Sequence, residues 1–387
     1  MSEREAEKRF VEEHINSSPA DVALILSKKA ELDKNYILRQ INGRQKARQK
    51  FPFLLDYSDY EYPSARAVAQ SSSDKAAKFK AELLESKHQN IADLSGGMGI
   101  DSYFLAKGRK ELTYLEPDPE LYKISSANFK VLGADHIECQ QRTAEEFLNS
   151  TEEEFDLIYL DPDRRKEGSR MIRLEECEPN VIDLQDKLFK KAGTIMIKFS
   201  PLLDIKMAME QLKDLKEVIV LSIKNECKEL LFLLQKGWNN EPIIRAVDLD
   251  KQKRTDFTFS YSEEMDAVVE FSNPLKYLYE PNAAIMKAGA FQFIAENLKL
   301  RKLAVNTHLY TSEELNETFP GRILKIKGYD KSPKIAPKKI NLVNRNSGMT
   351  VEELKKKFKI KDGGEDFLYA CRLEDGKRVF VLGDLVK

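Results

Sequence analysis

The stretch Ile91-Ala92-Asp93-Leu94-Ser95-Gly96-Gly97-Met98-Gly99-Ile100-Asp101 decides how this chain is read. A short apolar run ends on Asp93, a turn holding Gly96, Gly97 and Gly99 follows, and a helical pattern resumes at Ile100. Strand, tight turn and helix start, in that order, mark the place where an open α/β sheet holds a nucleotide-like ligand. Glycine takes backbone angles that a side chain forbids, so this turn lets a ligand lie against the main chain. The spacing excludes two ligand classes. A dinucleotide fingerprint counted from Gly97 needs a glycine where Ser102 stands, and no Lys-Ser or Lys-Thr follows to make a phosphate-cradling loop.

Outward from this turn, strand and helix patterns alternate, which indicates a mostly parallel, doubly wound sheet. Strands are expected at Ile91–Leu94, Glu111–Glu116, His136–Cys139, Phe155–Leu160, Gly193–Phe199, Val218–Ile223 and Leu230–Leu234. The last two are separated only by Lys224–Glu229, too short for a parallel crossover, so they should form an antiparallel hairpin. The reading is therefore α/β, with seven strands and an antiparallel final pair. Ligands of such sheets sit outside the carboxyl ends of the strands. Glu116 closes the second strand, 23 residues after Asp93, where a carboxylate can accept hydrogen bonds from ribose hydroxyls. Asp161-Pro162-Asp163-Arg164-Arg165 follows the fourth strand and Lys198 ends the fifth, on the same rim. A lysine there can neutralise a phosphate, lower the pKa of a hydroxyl, or cap the strand end. The guanidinium groups of Arg164 and Arg165 can stack on bases or pair with phosphate. Cys227 has no base beside it in sequence that would make it a nucleophile.

This turn resembles the first motif of class I S-adenosylmethionine-dependent methyltransferases, D/E-x-G-x-G-x-G, with Asp93, Gly97 and Gly99 matching and Ser95 standing for the first glycine. The resemblance implies that S-adenosyl-L-methionine lies against Ser95, Gly96, Gly97, Gly99, Asp101 and Asp161. Asp93 would meet its methionine end or hold the loop, and Glu116 its ribose. Thr143 and Ala144, after the third strand, occupy the usual adenine-edge position. Asp161 and Pro162 resemble the start of the D/N-P-P-Y/F/W motif of amino methyltransferases, from which Asp163 and Arg164 depart. In that motif a side-chain oxygen and a rigid proline backbone hold the acceptor. The implied catalytic set is Asp161, Pro162, Asp163 and Lys198, with Arg164 and Arg165 toward the substrate.

The remainder of the chain bounds the partners. At 387 residues it should hold two or three domains. Charged residues make up 33% and the net charge is −1, so overall charge advertises no nucleic acid. Local charge does. Residues 321–361 hold 13 Lys and Arg against Asp330, Glu352 and Glu353, an excess of ten positive charges that suits a nucleic-acid-facing module. Cys139, Cys177, Cys227 and Cys371 form no C-x-x-C pair, and His14, His88, His136 and His308 are scattered, so neither a disulfide framework nor a metal site is expected. Met1–Phe10 is highly charged and no run of roughly twenty apolar residues occurs, so we expect a cytoplasmic protein without a membrane span.

Residues 1–87 read as an N-terminal helical region with a helix start at Ser18-Pro19 and a later helix over Lys75–Leu84. Arg39, Arg44, Lys46, Arg48 and Lys50 lie beside the aromatic loop Phe51–Pro63. Basic residues beside aromatics can bind unpaired nucleic acid, or can simply be a solvated helix face next to a docking loop. Residues 88–270 read as the methyltransferase domain. Beyond it, a helix is expected over Ala283–Leu298, a strand over Thr307–Tyr310, a helix over Glu313–Thr318 capped by Ser312, and a compact α+β unit after Pro320-Gly321. Tyr277–Asn282, Lys287-Ala288-Gly289, Asn306–Ser312 and Phe319-Pro320-Gly321 resemble a bacterial methyltransferase group with a ferredoxin-like insert, here 271–319, and a C-terminal domain likened to the RNA-binding THUMP module, here 320–387. The resemblance implies a methyltransferase (EC 2.1.1.-) acting on structured RNA, tRNA or rRNA. Two alternatives stand beside it: an RNA-binding or regulatory protein without transferase activity, and a methyltransferase for a non-RNA substrate.

Overall fold

The computed structural model describes residues 3–29, 31–164, 173–250 and 254–386. These form two compact units, Met1–Leu215 with Phe232–Trp238, and Lys216–Leu231 with Asn239–Lys387. In chain order the first strands are β1 (Asn90–Asp93), β2 (Glu111–Leu115), β3 (Ile137–Gln140), β4 (Phe155–Leu160), β5 (Asp163–Arg164), β6 (Cys177–Glu178), β7 (Ala192–Phe199), β8 (Leu215–Ile223), β9 (Glu226–Gln235), β10 (Ile243–Leu249) and β11 (Arg254–Phe259). All but β5 and β6, which pair only with each other, make one sheet in the order β11-β10-β8-β9-β7-β4-β1-β2-β3. The run β7-β4-β1-β2-β3 is parallel throughout. β8 and β9 are neighbours joined by Lys224 and Asn225 alone, both at positive φ (55° and 59°). Two such residues make the tight turn of an antiparallel hairpin, as the spacing required.

The expected sheet of seven strands has nine. β10 lies parallel to β8, and β11 pairs antiparallel with β10. β11 alternates exposed and half-buried residues up to the buried Phe259, the pattern of an edge strand, and offers no continuous apolar run to betray it in sequence.

The N-terminal region is helical at Glu3–His14, Pro19–Leu26, Lys34–Lys50, Ala65–Gln70 and Asp74–Glu82. Ser18, Asp33, Ser64 and Ser73 each accept a first-turn amide, which explains where four of these helices begin. The aromatic loop is a docking element. Phe51, Tyr60 and Tyr62 are buried with Ile91, Leu112 and Tyr159 of the sheet. Gln40 pairs with both the amide and the carbonyl of Tyr62 (2.9 and 3.0 Å). Arg39 reaches Glu61 and Glu120, Arg44 the Ser58 carbonyl, Arg48 Asn16, and Lys50 the carbonyls of Val68 and Ala69. Phe51, Tyr60 and Tyr62 are thus packed inward, while Phe53 and Tyr57 are half-buried.

In the second unit β12 (Tyr277–Pro281), β13 (Arg301–Lys302), β14 (Tyr310–Ser312), β15 (Gly321–Asp330), β16 (Asn341–Arg345), β17 (Phe367–Arg372) and β18 (Arg378–Leu385) form a sheet in the order β13-β14-β12-β15-β18-β17-β16. Only the β16–β17 pair is parallel. The expected helix Ala283–Leu298 is broken into Ala283–Ala288 and Phe293–Asn297, because Gly289 turns left-handed (φ 85°). Glu313–Thr318 is not a helix. Ser312 ends β14, and Asn316 holds the segment as a turn by accepting from Thr318 and donating to the Leu298 carbonyl. Helix Val351–Phe358 begins at a capping box of Thr350 and Glu353.

Glu280 of β12 is the buried anion of this sheet. Its carboxylate takes Arg322 (2.8 Å) from β15, Arg345 (2.6 Å) from β16, and the Tyr369 hydroxyl (2.6 Å) from β17. Glu280→Ala would leave two guanidinium groups facing each other without an anion. Breaking a buried pair costs about 3–5 kcal/mol, and both arginines keep contact with water, so we expect a loss of about 2 kcal/mol in chemical denaturation of this unit. Unchanged stability would show that the arginines find water instead.

Candidate cofactor and acceptor site

Asp93, Glu116, Thr143, Asp161 and Lys198 all lie at or just beyond the carboxyl ends of strands of the parallel run, which places the sequence candidates along one sheet edge. The glycine turn between β1 and helix Ile100–Leu105 is shaped by what surrounds it. A Cβ on Gly96 would enter the Tyr114 ring, and one on Gly99 (φ 80°) would meet the Phe129 ring at 2.5 Å. Gly97 differs. Its φ is 57°, and a Cβ there would meet nothing nearer than the Ser95 carbonyl at 3.8 Å, so its bare Cα borders open space. The Gly97 carbonyl is held from behind by Tyr114 (2.5 Å) and Ser125 (3.0 Å).

Glu116 stands directly against this turn. Its carboxylate accepts from the amides of Gly97 (2.9 Å) and Asp118 (2.8 Å). Burial raises its pKa and the two amide bonds oppose that. Thr143 caps helix Ala144–Ser150 through a capping box with Glu146, and Ala144 is buried beneath it.

Asp93 points inward and holds the loop. It accepts from the Ser95 amide (3.0 Å) and from the Ser102 hydroxyl (2.5 Å). Burial first, and the neighbouring charges of Asp101 and Asp161 after it, push its carboxyl up to about 7. Asp101 is also buried, yet its pKa is lowered. Burial works to raise it, but Lys80 at 2.9 Å, the charge of Lys198 and the Ser72 hydroxyl (2.8 Å) outweigh that. The Tyr159 hydroxyl adds a further bond at 2.8 Å. Lys80 is fully buried and donates to Ser72 at 2.7 Å.

The serine that departs from the glycine pattern has a function in this geometry. Ser95 Oγ accepts the Asp161 amide at 2.6 Å, tying the end of β1 to the end of β4. Asp161 pairs with Lys198 at 2.5 Å, with the Asp161 side chain 31% exposed and that of Lys198 9% exposed. Surrounding protein holds the Asp161 carboxyl above the ordinary carboxylate range in spite of Lys198. Pro162 is buried beside it. Asp163 is exposed and taken by Arg66 (3.2 Å) and Gln70 (3.0 Å). The Arg164 backbone pairs with Cys177; its side chain, and the whole of Arg165, lie outside the described residues.

The arrangement thus brings together Asp93, Ser95, Gly97, Asp101, Asp161 and Lys198, while Asp163 is turned to an ion pair of its own. Sequence reasoning missed Lys80, Ser72, Tyr159, Tyr114 and Ser125. One signal was available: Lys80 shares a helical stripe with Ala76, Ala77 and Leu84, where an apolar residue is expected.

Residues 277–320 match the family described as a ferredoxin-like domain, and residues 315–384 the family described as THUMP domain-like. Among solved structures, a protein of Porphyromonas gingivalis W83, provisionally named a methyltransferase, is 29% identical and superposes with a TM-score of 0.88 over 99% of this chain and 98% of its own. An rRNA methylase of Streptococcus thermophilus is 15% identical with a TM-score of 0.31, covering 42% of this chain and 94% of its own. A protein of Streptococcus mutans with a provisional methyltransferase name, solved with SAH, is 11% identical with a TM-score of 0.31, covering 42% and 96%. No curated protein matches the chain. The resemblance read from the sequence is borne out: a class I methyltransferase fold is joined here to ferredoxin-like and THUMP-like parts. Among the described residues no group of His, Cys, Asp and Glu could hold a metal, and no helix is long and apolar enough to cross a membrane.

The raised pKa of Asp93 fixes a pH dependence. Its folded value, about 7, lies above the ordinary 3.8, so folding binds a proton there between those pH values. That contribution is complete below pH 4 and is lost as pH rises toward 7, at a limit of about 1.4 kcal/mol per pH unit. Asp93→Asn removes it. The stability of Asp93→Asn relative to wild type, followed by thermal melts, is expected to climb between pH 4 and 7 and then level. A difference that stays flat across this range would rule out the proton on Asp93.

Proposed function

We propose that this chain, with its class I methyltransferase fold and its ferredoxin-like and THUMP-like parts, is an S-adenosylmethionine-dependent methyltransferase acting on structured RNA, either tRNA or rRNA. The observation that carries the reading is the open Cα of Gly97, set between Glu116 at the end of β2 and the Asp161–Lys198 pair at the ends of β4 and β7. This cradle fits a ligand with a ribose and an amino-acid end. Glu116 would take the ribose hydroxyls, and the turn Ser95–Gly99, braced by Asp93 and Asp101, would lie along the amino-acid part. Thr143 and Ala144 would border the adenine. When bound, the cofactor supplies an electrophilic methyl group; the chain's own task is to hold the acceptor in line with it, and such positioning is worth several orders of magnitude in rate.

RNA is favoured by the C-terminal part. Lys331, Lys334, Lys338, Lys339, Lys356, Lys357, Lys359 and Lys361 are exposed. Lys338 and Lys361 are brought side by side by the bond from the Lys361 amide to the Lys338 carbonyl (2.7 Å). In this reading residues 88–270 hold the cofactor, while 271–319 and 320–387 present the RNA.

A second reading, an RNA-binding protein without transfer, is favoured by Asp163. Its carboxylate is engaged by Arg66 and Gln70, where the motif it resembles has a proline.

Calorimetric titration of S-adenosylmethionine and its demethylated product should show binding to wild type and none to Gly97→Val/Glu116→Ala. No binding to wild type would remove the cofactor from the reading. With labelled cofactor, total RNA should take up label and Asp161→Ala should abolish the uptake; cofactor and RNA binding with no transfer by wild type would leave the second reading. Replacing Lys338, Lys339 and Lys361 by alanine should weaken RNA binding and lower the slope of log affinity against log salt by about two to three. An unchanged slope would take the phosphate contacts away from this edge.

A further inference from the structure

We propose that the acceptor is a hydroxyl, the ribose 2′-hydroxyl of the RNA, and that Asp161 and Lys198 are the catalytic residues that draw off its proton. This rests on the RNA methyltransferase reading and adds the chemistry of the acceptor atom.

Three of the acceptor classes on RNA make different demands. A pyrimidine carbon needs a thiolate to activate the ring. Burial pushes the Cys227 thiol up to about 11 and that of Cys371 up to about 12, burial also raises Cys139, and Cys177 is buried. None is poised as a nucleophile. An exocyclic amine already carries a lone pair and needs a flat clamp and a hydrogen-bond acceptor more than a base. The position after Pro162 is Asp163, held away by Arg66 and Gln70.

A hydroxyl makes the demand this pair meets, since it is a poor nucleophile until its proton is leaving. Lys198, fixed beside the acceptor position, stabilises negative charge developing on oxygen. Asp161 takes the proton. The groups facing Asp161 are Lys198 from β7, Lys80 from helix Asp74–Glu82, Asp101 from helix Ile100–Leu105 and Asp93 from β1. The lysines favour its anion, whereas burial and Asp101 favour its protonated form. The net effect is a carboxylate more basic than a free one. Its backbone is pinned by Ser95, and its side chain still reaches solvent, so the proton can leave. As the hydroxyl oxygen forms its bond to the methyl carbon, the carbon–sulfur bond breaks and its electron pair stays on sulfur. The hydroxyl proton passes to Asp161, so the positive charge of the sulfonium and the negative charge of the carboxylate are discharged together. Among RNA hydroxyls the ribose 2′-hydroxyl is present at every internal nucleotide and lies next to the phosphate, where a lysine-rich surface would hold the chain.

The test uses the full chain, labelled cofactor and total RNA from cells in which its gene is deleted. Alkaline cleavage needs a free 2′-hydroxyl, so label should elute in alkali-resistant dinucleotides. Label in mononucleotides would overturn the hydroxyl assignment and leave the methyltransferase standing; no label with any RNA would overturn both. Lys198→Met should lower kcat by about 100-fold or more with KM little changed, the scale of acid–base catalysis, and Lys198→Arg should recover most of it. A readout independent of turnover is the carbon-13 carboxyl titration of Asp161, identified by its loss in Asp161→Asn. It should titrate above 3.8 in wild type, move higher in Lys198→Met and return in Lys198→Arg. A midpoint indifferent to both variants would overturn the pairing.

Discussion

A lysine that is fully buried must be given an anion, and the anion given to Lys80 is Asp101 at the start of the helix after the glycine turn. An isolated ammonium inside protein would lose several kcal/mol of hydration, and an isolated carboxylate likewise. Neither residue can therefore be placed without the other, and the pair fastens helix Asp74–Glu82 to the turn. Ser72 bonds to both partners, and Tyr159 brings in β4. The second pair, Asp161–Lys198, fastens β4 to β7 one step further along the same edge. Between the two pairs lies Asp93, and a third anion there would be unbalanced. Its raised pKa is the consequence: burial first, and the charges of Asp101 and Asp161 after it, push its carboxyl up to about 7.

The glycine turn and these pairs are one construction. Gly96 and Gly99 have no side chain because Tyr114 and Phe129 occupy that space, so their role is packing; of the three, Gly97 alone has open space at its Cα. Tyr114 both fills the space at Gly96 and braces the Gly97 carbonyl, which couples the shape of the turn to the packing of β2. Ser95 exchanges the backbone freedom of a glycine for a hydroxyl. That hydroxyl satisfies the Asp161 amide, which would otherwise need another partner at the end of its strand.

How much of this was legible in the sequence follows from the range of each interaction. The seven expected strands were readable because each is an apolar run bounded by turn residues, and the β8–β9 hairpin because Lys224–Glu229 is too short for anything else. β11 escaped because an edge strand alternates, and alternation over six residues resembles a polar loop. Gly289 broke a helix whose apolar pattern continued across it. The placement of Glu116, Asp161 and Lys198 at strand ends was readable because the apolar runs before them mark where each strand stops. Lys80 and Ser72 were not, since their partner Asp101 is more than twenty residues away and joined to them only by folding. The charge of Lys80 argued for the surface against its place on the apolar stripe, and the anion opposite it decides between the two.

The basic stretch of the second unit shows where charge alone stops being informative. Lys327 is neutralised by Asp366 and Asp384, and Lys355 by Asp362, so part of the excess seen in sequence is internal. What remains gathers at the β16 edge. There Gly363 (φ 121°) and Gly364 (φ 94°) pass beneath Lys339, and a Cβ on Gly363 would meet its side chain at 2.6 Å. Lysines at an edge strand protect it from pairing with another chain, and one or two suffice for that. Lys338, Lys339 and Lys361 are instead set together by a backbone bridge, with like charges left unpaired among the described residues. Such repulsion is a standing cost in the free protein. It is relieved when a polyanion displaces the counterions, which is a reason to read this edge as built for contact with phosphate.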